Sequence, residues 1–308
     1  MPKKDLEKCV KFYKFLKENN HPIEIQLGII ELDDFEELSD DAWEMLNDCG
    51  EVILKLETCN GLSKEILKKL SINRKIIYQF FDDNNKEGYS NDDLFMIYQI
   101  LETLKYVTEG AENNIHKIMI VCNIITWLVW YDSQGVMKNE HSTKEKIAET
   151  RSLKGSFFKG GAVCLGYALT LKIILNYLGI ETNIIGGYGL YDGKLEFHAW
   201  NQVKDDIFYN LDLTYDWQAV LSDLPFNNLL KSDEEFYKNH STNVSWEDYT
   251  QLQKCPKSIP NLDLRYYSKS IPEDLRKFLV KNQSKGLYKI LEYRQHFFEQ
   301  ENPKNKGK

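Results

Sequence analysis

The stretch that decides the fold reads Lys159-Gly160-Gly161-Ala162-Val163-Cys164, and an apolar helical pattern follows it directly. The pattern runs to Leu178, and Gly179 comes next, as is common just past a helix C-terminus. Because the two glycines free the backbone ahead of the helix, Cys164 is predicted to lie in its first turn. The helix dipole and the unpaired amides of that turn favour a thiolate and lower the pKa of the cysteine. The same amides can face an oxyanion that forms on a substrate carbonyl.

Two alternating segments downstream predict a β-hairpin that carries a histidine and a carboxylate. His198 lies in the segment 195–203, and Asp212 lies near the end of the segment 207–213. If residues 204–206 form the hairpin loop, His198 lies directly opposite Asp212 on the same face. Directly opposed residues have Cβ atoms about 4.5–5.5 Å apart, which lets a carboxylate orient an imidazole. A two-residue loop would instead place Asp212 on the other face.

A thiol at a helix start and a His–Asp pair on a hairpin together have the pattern of a catalytic triad. In such a site the thiolate is the nucleophile, the imidazole is the general base and the carboxylate orients the imidazole. Taken singly, Cys164, His198 and Asp212 are each more often structural residues. Their order and local context together favour a thiol enzyme.

These residues resemble the core of the transglutaminase-like superfamily, and the resemblance covers roughly residues 90–217. Two departures are one extra residue between the glycine and the cysteine, and Leu213 where proline is common in the family. Tyr131-Asp132 matches the Tyr-Asp that often ends an upstream buried helix. The matching motifs are Gly161-Ala162-Val163-Cys164-Leu165-Gly166-Tyr167-Ala168, Leu178-Gly179-Ile180, His198-Ala199-Trp200-Asn201 and Asp212-Leu213-Thr214-Tyr215-Asp216.

The resemblance implies an α+β fold with a papain-like or transglutaminase-like core, in which the nucleophile helix packs on an antiparallel sheet. It implies that Cys164 is the nucleophile, His198 the base and Asp212 the orienting acid. Tyr131 and Trp200 are candidates for contacts with the substrate or with the oxyanion. The implied reaction is attack on a peptide or protein amide through a thioester. Water would complete a protease or deamidase reaction, and an amine would complete an acyl transfer. The alternative is a non-catalytic protein-interaction module on the same fold.

The first 88 residues carry a weak repeat with a step of 24 residues. Strand-like runs begin at Ile29, Ile53 and Ile77, and Ser39 and Ser63 are predicted to cap the helices that follow the first two runs. The pattern predicts either a leucine-rich-repeat-like β-α array or an ordinary small α/β layer, with a protein partner as the expected ligand of an array. The predicted parts are a repeat-like region (1–88), a catalytic core (89–250) and a C-terminal helical segment (251–308).

Composition excludes several functional classes. The chain has 308 residues and a net charge of −8, which argues against a nucleic-acid binder. The most apolar run, residues 118–131, is too short to span a membrane, and no signal peptide is expected. The six cysteines form no CxxC pair, so we expect a reduced cytoplasmic protein without a metal or another cofactor. The polar residues 133–158 are expected to form a surface loop or a lid.

Overall fold

Two units make up the chain, residues 1–99 and residues 100–308. The three-part division drawn from the sequence stays a prediction. No helix within the described residues is long and apolar enough to cross a membrane. The computed structural model describes residues 3–20, 29–32, 38–48, 52–56, 76–82, 85–132, 143–221, 227–242, 252–260, 262–282 and 285–294.

The first unit contains a four-stranded sheet whose first three strands are parallel. Its elements are α1 (Lys3–Glu18), β1 (Ile29–Leu32), α2 (Asp40–Asp48), β2 (Val52–Leu56), β3 (Ile76–Asp82) and β4 (Asn85–Tyr89). Ile29 pairs with Ile53, and Ile53 pairs with Ile77, so the register of the sheet follows the 24-residue step of the sequence. Strand β4 returns antiparallel to β3. The leucine-rich-repeat-like interpretation stays a prediction.

Helix α2 begins directly after Ser39, as the sequence predicts. The Oγ atom of Ser39 accepts a hydrogen bond from the backbone N–H of Ala42 at 3.2 Å, which satisfies an amide of the first turn. The helix buries its apolar side chains Ala42, Trp43, Met45 and Leu46. The second predicted cap, Ser63, and the helix after it lie outside the described residues.

Helix α3 (Asn91–Thr108) contains the boundary between the units, and the second unit combines helices with an antiparallel sheet. The strands of the second unit form two sheets. The parallel pair consists of β5 (Trp130–Tyr131) and β6 (Gly161–Ala162), and the antiparallel sheet consists of β7 (Thr182–Tyr191), β8 (Lys194–Lys204), β9 (Phe208–Leu211) and β10 (His240–Thr242). The further helices of this unit are α4 (Asn114–Leu128), α5 (Lys144–Thr150), a π-helix (Gly155–Lys159), α6 (Cys164–Tyr177), α7 (Leu213–Leu221), α8 (Asp233–Phe236), α9 (Leu264–Tyr267), a 3-10 helix (Ser268–Ser270) and α10 (Glu273–Lys281).

Helices α4 and α6 form the centre of the second unit. Every residue of α4 from 118 to 126 is buried, and the helix is capped by Asn113, whose side chain accepts from the N–H of His116 at 2.8 Å. Helix α6 packs against α4 and against strands β7 and β8. The amide of Asn201 on β8 donates to the carbonyl of Ala168 on α6 at 2.9 Å. The predicted α+β class, with a helix on an antiparallel sheet, is confirmed.

The antiparallel sheet has the strand order β10-β7-β8-β9. Strand β8 pairs with β7 along nearly all of its length, and this register sets His198 opposite Gly187. On its other edge, the C-terminal end of β8 pairs with β9, where Asn201 lies opposite Leu211. Strand β10 adds to the free edge of β7 and pairs His240 with Gly189.

The predicted register between β8 and β9 is wrong by two residues. Lys204 pairs with Phe208, so the connection is residues 205–207 rather than residues 204–206. His198 and Asp212 are therefore not directly opposed. A shift of two residues keeps each side chain on its face, because the side-chain period of a strand is two. The two residues consequently remain on the same side of the sheet.

The predicted loop or lid over residues 133–158 is wrong for its described part, residues 143–158. Helix α5 and the π-helix occupy this stretch, and much of it is buried. Its hydroxyl groups are buried because they bond to backbone carbonyls: Ser152 donates to Glu149 at 2.8 Å and Ser156 donates to Gly166 at 3.3 Å. Residues 133–142 lie outside the described residues.

The C-terminal segment is partly helical, as predicted. Helix α10 buries Leu275 and Leu279, and residues 289–294 are also helical. Between these helices, the backbone N–H of Tyr288 donates to the carbonyl of Phe157 in the π-helix at 3.2 Å. The segment thus packs on the chain that leads into helix α6.

Candidate active site

Cys164 is the first residue of helix α6, with Val163 as the N-cap residue. The residues before it are held by backbone hydrogen bonds. Strands β5 and β6 pair in parallel, and the N–H of Val163 donates to the carbonyl of Thr150 at 3.0 Å. The thiol is half-buried at the start of a 14-residue helix. Because the first amides of a helix have no intrahelical acceptor, this position favours negative charge.

Gly160 sets the turn before the nucleophile helix. Its φ of +69° lies in the left-handed region, and an added Cβ would come within 2.6 Å of the backbone nitrogen of Gly286. A side chain at position 160 would therefore be strained in its own backbone and would also collide with the C-terminal segment.

His198 lies on β8 at a position where the neighbouring strand carries no side chain. Its partner is Gly187, and the next residue of β7 on the same face is Gly189. A Cβ at Gly189 would collide with the hydroxyl of Tyr215 and approach the imidazole of His198 to 3.3 Å. The ring of Tyr215 occupies the space that this glycine leaves, 4.7 Å from the imidazole centroid. The glycines thus provide room for a packed, buried imidazole.

Asp212 follows the last residue of β9 and bonds to His198. Its Oδ2 atom lies 2.7 Å from Nε2 of the imidazole, and both side chains are buried. Its Oδ1 atom accepts from the backbone N–H groups of Thr214 at 2.9 Å and Tyr215 at 3.4 Å. Because Nε2 of His198 faces Asp212, Nδ1 is the ring nitrogen available to interact with Cys164, whose pKa His198 lowers.

The charges of this group support one another. Burial alone would lower the pKa of His198, but the carboxylate of Asp212 and the thiolate of Cys164 outweigh burial and raise it to about 10. Burial alone would raise the pKa of Cys164, but the hydrogen bond and charge of His198, together with the N–H of Ala199, lower it below the ordinary value of 9.0. Both shifts therefore favour a thiolate–imidazolium pair over a neutral thiol and imidazole.

A second histidine, which the sequence analysis missed, also binds Asp212. His240 places Nε2 at 3.0 Å from the same Oδ2 atom, and its side chain is fully buried. Burial alone would raise the pKa of Asp212, but the charges and hydrogen bonds of the two histidines hold it well below its usual range. His240 lies 28 residues after Asp212, so spacing in the sequence gave no signal for it.

His198, Asp212 and His240 have ligand atoms within 4.8 Å of one another, so they could geometrically hold a metal ion. Spacing in the sequence could not indicate this cluster, since it lacks the short-range pairs that mark metal motifs. The distances from the two Nε2 atoms to Oδ2, 2.7 and 3.0 Å, are those of N–H···O hydrogen bonds. We therefore interpret the cluster as a hydrogen-bonded chain.

The other two predicted site residues have different surroundings. Tyr131 on β5 is half-buried, and its pKa is raised by burial and by the nearby charge of Cys164, so its hydroxyl stays protonated. Trp200 is only 1% exposed and packs with Ile185 and Phe236 in a hydrophobic cluster. This burial argues against the substrate or oxyanion contact expected for Trp200.

Comparison with known proteins finds a family match for the part of the chain that contains Cys164, His198 and Asp212. No curated protein sequence matches the chain. A solved structure described as the crystal structure of a TGase is similar to it at 16% identity with a TM-score of 0.34. That match covers 62% of this chain and 49% of the other, so this chain spans about half the length of that protein. The family model of the transglutaminase-like superfamily matches residues 102–220, which agrees with the resemblance seen in the sequence.

Proposed function

We propose that the protein is a thiol enzyme that attacks amide carbonyls of a peptide or protein substrate through Cys164, His198 and Asp212. One observation carries the proposal. The half-buried thiol at the start of α6 lies beside His198, which lowers the pKa of the thiol and whose Nε2 atom lies 2.7 Å from a buried carboxylate. The match of residues 102–220 to the family model of the transglutaminase-like superfamily supports this chemistry.

In the first half of the reaction the thiolate attacks the carbonyl carbon and forms a C–S bond. The π electrons of the carbonyl move to oxygen and give a tetrahedral oxyanion. When the oxyanion collapses, the C–N bond breaks, and the leaving amine takes the proton from Nδ1 of His198. A thioester remains on Cys164. Asp212 stays ionised and holds the imidazole in the orientation that this proton transfer needs.

In the second half His198 acts as a base. Water or a primary amine attacks the thioester and gives its proton to the imidazole, and the C–S bond breaks to return the thiolate. Water produces an acid by proteolysis or deamidation, and an amine produces a new amide. We propose that the first-turn amides of α6 and the protonated hydroxyl of Tyr131 stabilise the oxyanion in both halves.

A peptide library separates the three outcomes. The protein is incubated with the library and a labelled primary amine, and the products are read by mass spectrometry. Cleaved peptides indicate a protease, a gain of about 1 Da indicates a deamidase, and incorporation of the label indicates an acyl transferase. The Cys164→Ala variant serves as the control and is expected to give none of these products.

A simpler measurement decides between an enzyme and a non-catalytic interaction module. The thiolate at position 164 should react with iodoacetamide at neutral pH faster than Cys9, a half-buried thiol on α1. If the two cysteines are alkylated at the same rate in the folded protein, the enzyme proposal is wrong and a module on this fold is the better interpretation.

We also propose that residues 1–88 bind a protein partner or substrate. The regular parallel pairing of β1, β2 and β3 supports this, because stacked repeats offer extended binding surfaces. Deleting residues 1–88 should weaken action on a protein substrate while the alkylation rate of Cys164 stays the same. Equal loss of both would show that this region is needed for folding of the core.

A further inference from the structure

His240 is part of a hydrogen-bonded chain that begins at Asp212 and continues through residues that the proposed reaction does not require. Its Nε2 atom faces Oδ2 of Asp212, and its Nδ1 atom lies 2.7 Å from Oδ1 of Asn239. The amide nitrogen of Asn239 donates to Oδ1 of Asn228 at 3.2 Å, and the amide nitrogen of Asn228 donates to Asp216 at 3.1 Å. The chain thus joins two buried carboxylates through two amides and one imidazole.

The order of donors and acceptors along this chain determines which ring nitrogens of His240 carry hydrogen. The carboxylate of Asp216 also accepts from the backbone N–H groups of Asn227 and Asn228, so it presents acceptors to its neighbours. The side-chain NH₂ of Asn228 must then face Asp216, and that of Asn239 must face Asn228. This leaves the Asn239 oxygen facing Nδ1 of His240. Both ring nitrogens of His240 therefore face acceptors, and both carry hydrogen.

Packing fixes the plane of the same ring. His240 stacks on Phe236 with centroids 4.0 Å apart and an interplanar angle of 19°. Tyr215 and Trp200 contact it from other sides at 4.9 and 5.2 Å. A buried ring with both nitrogens bonded and its face covered has one orientation. His240 is consequently a rigid donor to Asp212.

The charges of the site require such a donor. If Cys164 is a thiolate and His198 an imidazolium, the further charge of Asp212 leaves these three groups with a net charge of −1. A protonated His240 brings the four side chains to zero, which lowers the cost of burying them. Asp216 adds another negative charge at the far end of the chain and so increases the need for this cation.

We propose that His240 is a positioning residue that keeps Asp212 ionised and aimed at His198. This inference rests on the proposed function, because it concerns the orientation of the same imidazole. The groups that face His240 are Asp212, His198, Tyr215 and, through the two asparagines, Asp216. Loss of His240 would remove one hydrogen bond and one positive charge from a buried carboxylate, which would then take up a proton more readily.

The test measures the alkylation rate of Cys164 by iodoacetamide between pH 4 and pH 9 in the full-length protein. His240→Phe keeps an aromatic ring on Phe236 but removes both donors. We expect the alkylation rate of this variant at pH 7 to fall about 10- to 100-fold. We also expect the acid limb of its pH–rate profile, where the rate falls as the pH is lowered, to move to higher pH. His240→Gln keeps a neutral donor and should lie between His240→Phe and the natural protein. Tyr237→Phe is the matched control: Tyr237 packs on Trp200 and Phe236, and its hydroxyl has no hydrogen-bond partner among the described residues, so its loss should leave the acid limb in place.

A second variant keeps the test decisive if His240→Phe does not fold. Asn239→Ala removes the acceptor for Nδ1 and should shift the acid limb in the same direction by a smaller amount. The inference is overturned if folded His240→Gln and Asn239→Ala have the rate and acid limb of the natural protein. If Cys164 in the natural protein is no faster than Cys9, the proposed function itself has failed.

Discussion

Two cysteines interact with side chains of strand β8 at different points, and their surroundings give opposite chemistry. Cys164 lies beside His198, and the histidine lowers the pKa of this thiol despite burial. Cys255 accepts a hydrogen bond from Gln202 at 3.2 Å, but burial and the carboxylate of Asp233 raise its pKa to about 12. Burial opposes the thiolate in both places. The charge of the neighbouring group therefore decides which thiol is reactive.

The largest test removes the group that distinguishes the two cysteines. His198→Ala should leave Cys164 buried without a cation, in an environment like that of Cys255. We expect turnover of a substrate found with the peptide library to fall on the order of 10⁶-fold, because members of a triad act as a unit. Steady-state kinetics measure this loss, and circular dichroism checks the fold. A variant with near-natural turnover would show that another base serves Cys164.

Asp212→Asn tests whether the carboxylate of Asp212 orients His198 and stabilises its charged form. The amide keeps the size of the side chain but carries no charge, so it cannot stabilise the imidazolium or fix its tautomer. Turnover should fall about 10⁴-fold, as in serine triads. A drop of tenfold or less, measured on the same substrate, would mean that another group orients His198.

The pH dependence of alkylation compares the two thiols in one sample. Because the pKa of Cys164 is lowered, its rate should rise on the acid side of pH 9.0 and stay level until His198 loses its proton near pH 10. The rate of Cys255 should rise only as pH approaches 12. Mass spectrometry of the alkylated peptides gives both curves. If the pH–rate curves of Cys164 and Cys255 have the same shape, the two thiols do not differ in pKa and the comparison is wrong.

The smallest expected effect comes from Gly189→Ala. The new methyl group would push on Tyr215 and His198, which should displace the imidazole and slow alkylation of Cys164 about 10- to 100-fold. Gly110→Ala is the matched control, because nothing lies within 4 Å of the Cβ it would add. Equal rates in the two variants would show that the imidazole tolerates the crowding.

The parts of this arrangement that depend on local signals could be predicted from the sequence. Glycines before an apolar helix placed Cys164 at a helix start, and the 24-residue step anticipated the pairing of Ile29 with Ile53. The register of β9 was missed because two loops of equal length, 204–206 and 205–207, preserve the same side-chain faces. Strand alternation alone cannot distinguish them.

The parts that depend on contacts between distant residues could not be predicted. His240 reaches Asp212 only because β10 adds to the edge of β7, and nothing near His240 in the sequence marks that contact. The buried hydroxyl of Ser156 was predicted to lie at the surface, because its partner, the carbonyl of Gly166, becomes its neighbour only in the folded chain. Trp200 shares a face of β8 with His198, yet the core covers it.

The close approach of Gly160 and Gly286 has a consequence for genetics. The turn that presents the reactive sulfur is shaped by two stretches far apart along the chain, and neither glycine can be enlarged without moving the other. A screen for inactive variants should thus recover changes at Gly286 alongside those at the triad. The distance of a residue from Cys164 along the sequence would therefore be a poor predictor of whether its substitution inactivates the protein.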